Sequence, residues 1–227
     1  FGGAGAWVVH REELPEKWLA DHRTAHGERR EILLTDGTRV TLDTNTALDV
    51  RFDNRHRCLR LHLGRIHIDT AKDTRPLFVE TAQGQAHALG TRFTVQCNER
   101  DTSTSVFQGA VELRPAGRNA APLTITAGQQ AHFAHNAVGQ VEQAPQSEAP
   151  WRNGMLIVTA MRLDIFLAEL ARYRQGWLVC DPQIADLQVS GSFPLADTDS
   201  VLDILAQTLP VTIQRRTRLW AAVRPRS

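Results

Sequence analysis

No stretch of this chain approaches the roughly 20 consecutive apolar residues that a membrane-spanning helix needs. Lysine is almost missing: Lys17 and Lys72 are the only two, and arginine supplies the other basic side chains. A formal net charge of +1 over 227 residues gives no electrostatic footprint for nucleic acid or an anionic membrane. Cysteine is scarce. Cys58, Cys97 and Cys180 are odd in number and spaced for neither a CxxC redox pair nor a zinc site, so they read as buried thiols on strands. A Cys58–Cys97 bridge stays open only for an oxidising compartment. Catalytic signatures are missing as well: there is no GxSxG, HExxH or phosphate-binding loop, and "GGAGAW" lacks the strand and third glycine of a dinucleotide fingerprint. No cofactor is implied.

What is present is pattern. Residues 12–26, "EELPEKWLADHRTAH", place Leu14, Trp18 and Leu19 at helical spacing, with Pro15 tolerated in a first turn, and predict a short amphipathic helix. His22 and His26 lie four apart on it without an acidic third ligand, which favours a solvated face over a metal site. The opening "FGGAGAWVV" is read three ways: the end of a membrane anchor, a cloning remnant or a plain terminus. From residue 30 the period becomes two. "EILLTDGTRVTLD" is strand, Asp36-Gly37 turn, strand. In "CLRLHLGRIHIDT" Leu59, Leu61 and Leu63 face one way, Gly64 interrupts, and Ile66 and Ile68 resume. Further short runs continue to residue 143 with no helical stretch among them, which predicts an all-β unit of stacked or solenoid-like short strands. His132 and His135 fall on opposite faces of one such strand.

"QAPQSEAP" is polar and aperiodic, a linker over 144–150. Beyond it the order is β-α-β-β-α-β-β. Leu163, Phe166, Leu167 and Leu170 stripe the first helix, which ends at Gly176; Asp197 or Thr198 caps the second, which carries Val201, Leu202, Leu205 and Leu209 and stops at Pro210. Asp197, Asp199 and Asp203 sit where a calcium loop would, but the glycine and the twelfth-position glutamate are wrong, so helix capping is the reading. Asp181 and Asp186 flank a Pro182 turn and read as turn residues. The division is a membrane-proximal segment 1–29, an all-β domain 30–143, the linker 144–150 and a small α+β module 151–227.

The residues "DHRTAHGERREILLTDGTRVTLDTNTALDVRFD", "LRLHLGRIHIDTAKDTRPLFVETAQGQAHALGTRFTV", "VFQGAVEL" and "ITAGQQ" resemble the periplasmic half of the FecR family over residues 20–131. "WRNGMLIV", "FLAELARYR" and "VSGSFPLADTDSVLDIL" resemble its C-terminal continuation, a short secretin/TonB-receptor N-terminal (STN-like) module. The resemblance implies the periplasmic region of a single-pass inner-membrane regulator in a Gram-negative cell. Such a region binds the N-terminal signalling domain of a TonB-dependent outer-membrane siderophore receptor. A periplasmic protease then cuts the regulator, and an extracytoplasmic-function sigma factor, held by a cytoplasmic part, is released for iron-uptake transcription.

Small sheets have edges that accept a partner strand, so the expected dock is the module's strands Trp177–Cys180, Leu187–Ser190 and Leu219–Ala221, with Trp177, Leu178, Val179, Leu187, Val189, Leu219 and Trp220 as candidate contacts and the two tryptophans as anchors, unless both are core. The family resemblance also implies that Gly90-Thr91, in "ALGTRF", is a fixed turn or a self-cleaving bond whose Thr91 hydroxyl attacks the Gly90 carbonyl. Otherwise no enzymatic activity is expected. A glycan-binding β domain is the remaining alternative, weakened because residues 30–143 contain no Trp or Tyr for sugar stacking.

Overall fold

The structure is a computed structural model that describes residues 19–145, 147–217 and 219–226. The β-branched and alternating runs form β1 (His22–Arg23), β2 (Arg30–Leu33), β3 (Arg39–Leu42), β4 (Ala47–Phe52), β5 (Arg57–Asp69), β6 (Leu77–Thr81), β7 (Gly84–Ala88), β8 (Arg92–Cys97), β9 (Thr102–Gln108), β10 (Ala110–Pro115), β11 (Leu123–Thr126), β12 (Gln129–Ala134) and β13 (Ala137–Gln143). They join into one 13-stranded sheet. The expected stacked or solenoid-like arrangement takes the form of a sheet folded over on itself around a long strand. The first half of β5 pairs with β4 and with parallel β6, and its second half pairs with β3 and β8. Strands β7, β10 and β11 extend one half, and β9, β12 and β13 extend the other. Both halves turn their apolar faces onto one core that includes Leu59, Leu61, Ile66, Ile68, Phe93, Leu113 and Phe133.

Gly64 is where β5 passes from one half to the other. Leu59 and Leu61 are buried before it and Ile66 and Ile68 after it, so the inward phase slips by one residue across the glycine. Its φ is +92°, and a Cβ there would meet the Thr46 Cα at 2.6 Å. Gly64→Ala therefore strains a left-handed backbone and collides with main chain. It is expected to lower stability by more than about 2 kcal/mol, read as a shift in the urea midpoint.

Residues 19–26 are not helical. His22–Arg23 is a short strand on β4, and the chain that follows is tied to the β3–β4 loop: Thr24 N donates to Thr46 O at 3.0 Å and Asn45 N to Ala25 O at 3.1 Å. These bonds outweigh the weak helical propensity of the stretch. The rest of the expected helix, with Leu14 and Trp18, lies outside the described residues. The cysteines are free: Cys97 points into the core and Cys58 onto the outer side of β5, so the two thiols occupy opposite faces and no bridge forms. Burial, with Glu80 adding to it, pushes the Cys58 thiol up to about 12, and burial pushes Cys97 to about 11.

A second core belongs to the C-terminal unit: β14 (Met155–Arg162), α1 (Leu163–Ala171), β15 (Trp177–Cys180), β16 (Gln188–Pro194), α2 (Thr198–Thr208), β17 (Val211–Thr217) and β18 (Trp220–Pro225). The order matches the sequence pattern. The striped residues Leu163, Phe166, Leu167 and Leu170 of α1 and Val201, Leu202 and Leu205 of α2 are buried in it. The Asp197 carboxylate accepts from Ser200 N at 3.0 Å and caps α2. Asp181 accepts from Gln183 N at 3.0 Å, while Asp186 pairs with Arg162, so these two carboxylates do not converge. β14 and β16 form one small sheet, and β15-β18-β17 another. Among the described residues no helix is long and apolar enough to cross a membrane, and no three His, Cys, Asp or Glu side chains gather as metal ligands.

Candidate docking surface

The three-stranded sheet has β15 at its margin, parallel to β18. Trp177 N donates to Leu219 O at 2.7 Å and Asp181 N to Val223 O at 3.0 Å. The strand alternates, so the peptide groups of Leu178 and Cys180 turn to the open edge. Side chains divide the same way. Leu178 and Cys180 pack on the second core, whereas Trp177 is 70% exposed and Val179 45% exposed on the outer face. Trp220 lies opposite Trp177 in register, half-buried, with the Arg216 guanidinium 5.0 Å from its ring centroid. Leu219, on the turn just before β18, is 51% exposed. Gly176 fixes this corner: at φ +95° a Cβ would meet the Leu219 carbonyl carbon at 2.6 Å.

Of the residues expected to form the dock, Trp177, Val179 and part of Trp220 come together on this face, and Leu219 is exposed on the turn before β18. Val189 does not; it is buried in the second core, and Leu187 packs against that core from its edge. Alternation in a short strand cannot say which phase faces in, and that is why Val189 looked equivalent to Val179.

Glu169, Arg172 and Tyr173, at and just after α1's C-terminal end, form a junction with the β body that no sequence pattern flagged. Asp43, fully buried in the β3–β4 loop, accepts from Arg65 Nε at 2.8 Å and from the Tyr173 hydroxyl at 2.8 Å, with Arg172 Nη2 at 3.3 Å. Arg65 Nη2 donates to the Tyr173 oxygen at 2.6 Å, and Arg65 Nη1 lies 2.7 Å from Glu169. Burial works against the Glu169 carboxylate, yet Arg65 and Arg172 hold it below the ordinary range; burial pushes the Tyr173 phenol up and keeps it a neutral donor. Thr44 Oγ1 donates to Arg172 O at 3.2 Å and accepts from Gly27 N at 2.7 Å, so the N-terminal segment joins the same cluster. Residues 148–151 lie close to the β body: Glu148 is 3.3 Å from His67 Nε2 and 3.5 Å from Arg92, and Ala149 and Trp151 are buried.

Residues 20–112 match the FecR protein family. Two crystal structures of a "putative anti-sigma factor" from Parabacteroides distasonis share the fold beyond it. One has a TM-score of 0.74 at 20% identity over 91% of this chain and 98% of the other; the second has 0.75 at 19% identity over 91% and 99%. No curated protein matches the chain.

Within the matched residues 20–112, Gly90 and Thr91 bridge β7 and β8. Gly90 has φ +76°, the left-handed turn expected of it. Thr91 N donates to Thr70 Oγ1 at 2.7 Å, and Thr70 returns bonds from its N at 3.1 Å and its Oγ1 at 3.0 Å to Thr91 O. The Thr91 hydroxyl is buried and has no hydrogen-bond partner. Most buried hydroxyls in folded proteins find one.

Proposed function

We propose that this FecR-family chain is the periplasmic part of an inner-membrane sigma-factor regulator, and that its C-terminal unit, read as an STN-like module, docks the N-terminal signalling domain of a TonB-dependent outer-membrane siderophore receptor. The observation that carries this reading is the open β15 edge with Trp177 and Val179 laid out on one face, which offers main-chain pairing and an apolar anchor to an incoming strand. Docking is followed by cleavage by a periplasmic protease and release of the sigma factor bound to the cytoplasmic part. Calorimetric titration with the signalling domains of TonB-dependent receptors from the same genome tests it: one-to-one binding to at least one supports the reading, and heat-silent, non-binding behaviour towards all of them defeats it.

A second reading concerns processing. The unpartnered Thr91 hydroxyl favours a single-turnover self-cleavage. Its oxygen attacks the Gly90 carbonyl carbon, the Gly90–Thr91 C–N bond breaks as the hydroxyl proton passes to the nitrogen, and the resulting ester is hydrolysed by water to a Gly90 carboxylate and a free Thr91 amine. The two pieces are expected to stay together, because β8 remains paired with β5 and β10 with β7 across the break. Intact-mass spectrometry of freshly purified protein reads the outcome. Fragments ending at Gly90 and starting at Thr91, co-eluting in native chromatography and absent from Thr91→Ala, support cleavage; one intact species that persists for days, identical to Thr91→Ala, rejects it.

A further inference from the structure

A cleft of about 510 Å3 separates the outer face of the β body from the C-terminal unit. Its size and its place between two cores are those of small-molecule sites, which run from roughly 300 to 1,000 Å3 and favour such junctions. The two walls differ. On the body side β9 and β12 present Ser103, Ser105 and Gln130, hydroxyls and a carboxamide. On the other side stand Ile157 of β14, 44% exposed, and Ile165 of α1, 52% exposed. Their neighbours Leu156 and Val158 already fill the second core, so these isoleucines are surplus to it. Met155 and Met161, the only two methionines of the chain, line the same wall, and their flexible thioethers adapt to an occupant's shape.

Electrostatics select the class of occupant. The charged groups of the lining are Arg65, Arg172 and Glu169. Both guanidiniums are already engaged by carboxylates: Arg65 by Asp43 at 2.7 Å and Glu169 at 2.7 Å, and Arg172 by Asp43 at 3.3 Å and Glu169 at 3.3 Å. Two cations face two anions, which leaves no unmatched charge to hold an ionic ligand or to offset its desolvation. We propose that this cleft binds an uncharged amphipathic small molecule, its apolar face on Ile157, Ile165 and the methionines and its hydroxyl or carbonyl groups towards Ser103, Ser105 and Gln130. The site is separate from the β15 edge and does not depend on the receptor-docking reading. Because the molecule touches both units, its binding raises the temperature at which they unfold.

The probe is Nile red, an uncharged solvatochromic dye, titrated against the whole chain beside the anionic dye 8-anilinonaphthalene-1-sulfonate, with melting temperature followed in parallel. Nile red is expected to saturate one to one and raise the melting temperature, and the sulfonate to bind at least about tenfold more weakly. Ile157→Glu and Ile165→Glu, both at exposed positions, are expected to weaken Nile red more than about tenfold while the free chains melt as the wild type does. Trp177→Ala is expected to leave the dye affinity unchanged, which separates this site from the dock. Nile red that does not bind, that binds both Glu variants as it binds the wild type, or that is lost with Trp177→Ala overturns the proposal. A sulfonate dye bound as tightly in the same cleft overturns the assignment to an uncharged ligand.

Discussion

Asp43→Ala is expected to destabilise the chain by about 3–5 kcal/mol and to uncouple the C-terminal unit from the β body. The carboxylate is fully buried and is the one acceptor shared by Arg65, Arg172 and the Tyr173 hydroxyl, which arrive from β5 and from the end of α1. Its removal leaves Arg65 and Arg172, both mostly buried, facing one carboxylate, Glu169, in place of two. The cost is that of an uncompensated charge, a different quantity from the net worth of the intact network, since replacing a whole buried ion cluster by apolar residues is often neutral. Tyr173→Phe, which keeps every charge and removes the hydroxyl that donates to Asp43 and accepts from Arg65, sets the scale for the uncharged part of the network at about 1–3 kcal/mol. Urea unfolding followed by hydrogen exchange and mass spectrometry separates the two cores. The expected result for Asp43→Ala is two transitions, with residues 155–225 losing protection first, where the wild type gives one. A single transition at the wild-type midpoint removes the junction as the element that couples the units.

The parts of this architecture that local pattern dictates were legible in the sequence. Period-two alternation located β2, β3, β5 and further short strands up to residue 143, though not β4; Asp36-Gly37 marked the first hairpin, and the apolar stripes with the Asp197 cap located both helices. Long-range contacts were not legible. The junction joins Asp43 to Tyr173 across 130 residues, and although each lies in a patterned stretch, nothing in either pattern pairs them. The only local trace is Arg65, a charged side chain directly after the glycine that breaks the alternation of β5. The stretch 19–26 has helical spacing, yet its amides are claimed by the β3–β4 loop, a tertiary effect that propensity cannot report. Likewise, polar composition over 144–150 does not distinguish a free tether from a strap laid over His67 and Arg92, because Glu148 suits either.

Trp177→Ala is expected to weaken binding of the receptor's signalling domain by at least about 2 kcal/mol, roughly thirtyfold in dissociation constant. Stability should stay within about 0.5 kcal/mol of the wild type, because the indole is 70% exposed and supports little of the second core. Val189→Ala provides the opposite case: the side chain is buried, so truncation costs fold stability by about 1 kcal/mol or more and leaves affinity for the partner nearly intact. Measured together by calorimetry and thermal denaturation, the pair separates contact from scaffold. If the edge of β15 also receives a strand, Cys180→Pro, which removes an N–H donor at the open margin and leaves the pairing with β18 in place, weakens binding by more than its small apolar area accounts for. A Trp177→Ala chain that captures the signalling domain as tightly as the wild type places the dock elsewhere on the molecule. A selective loss with Val189→Ala instead means that the partner engages a rearranged module whose second core opens on binding.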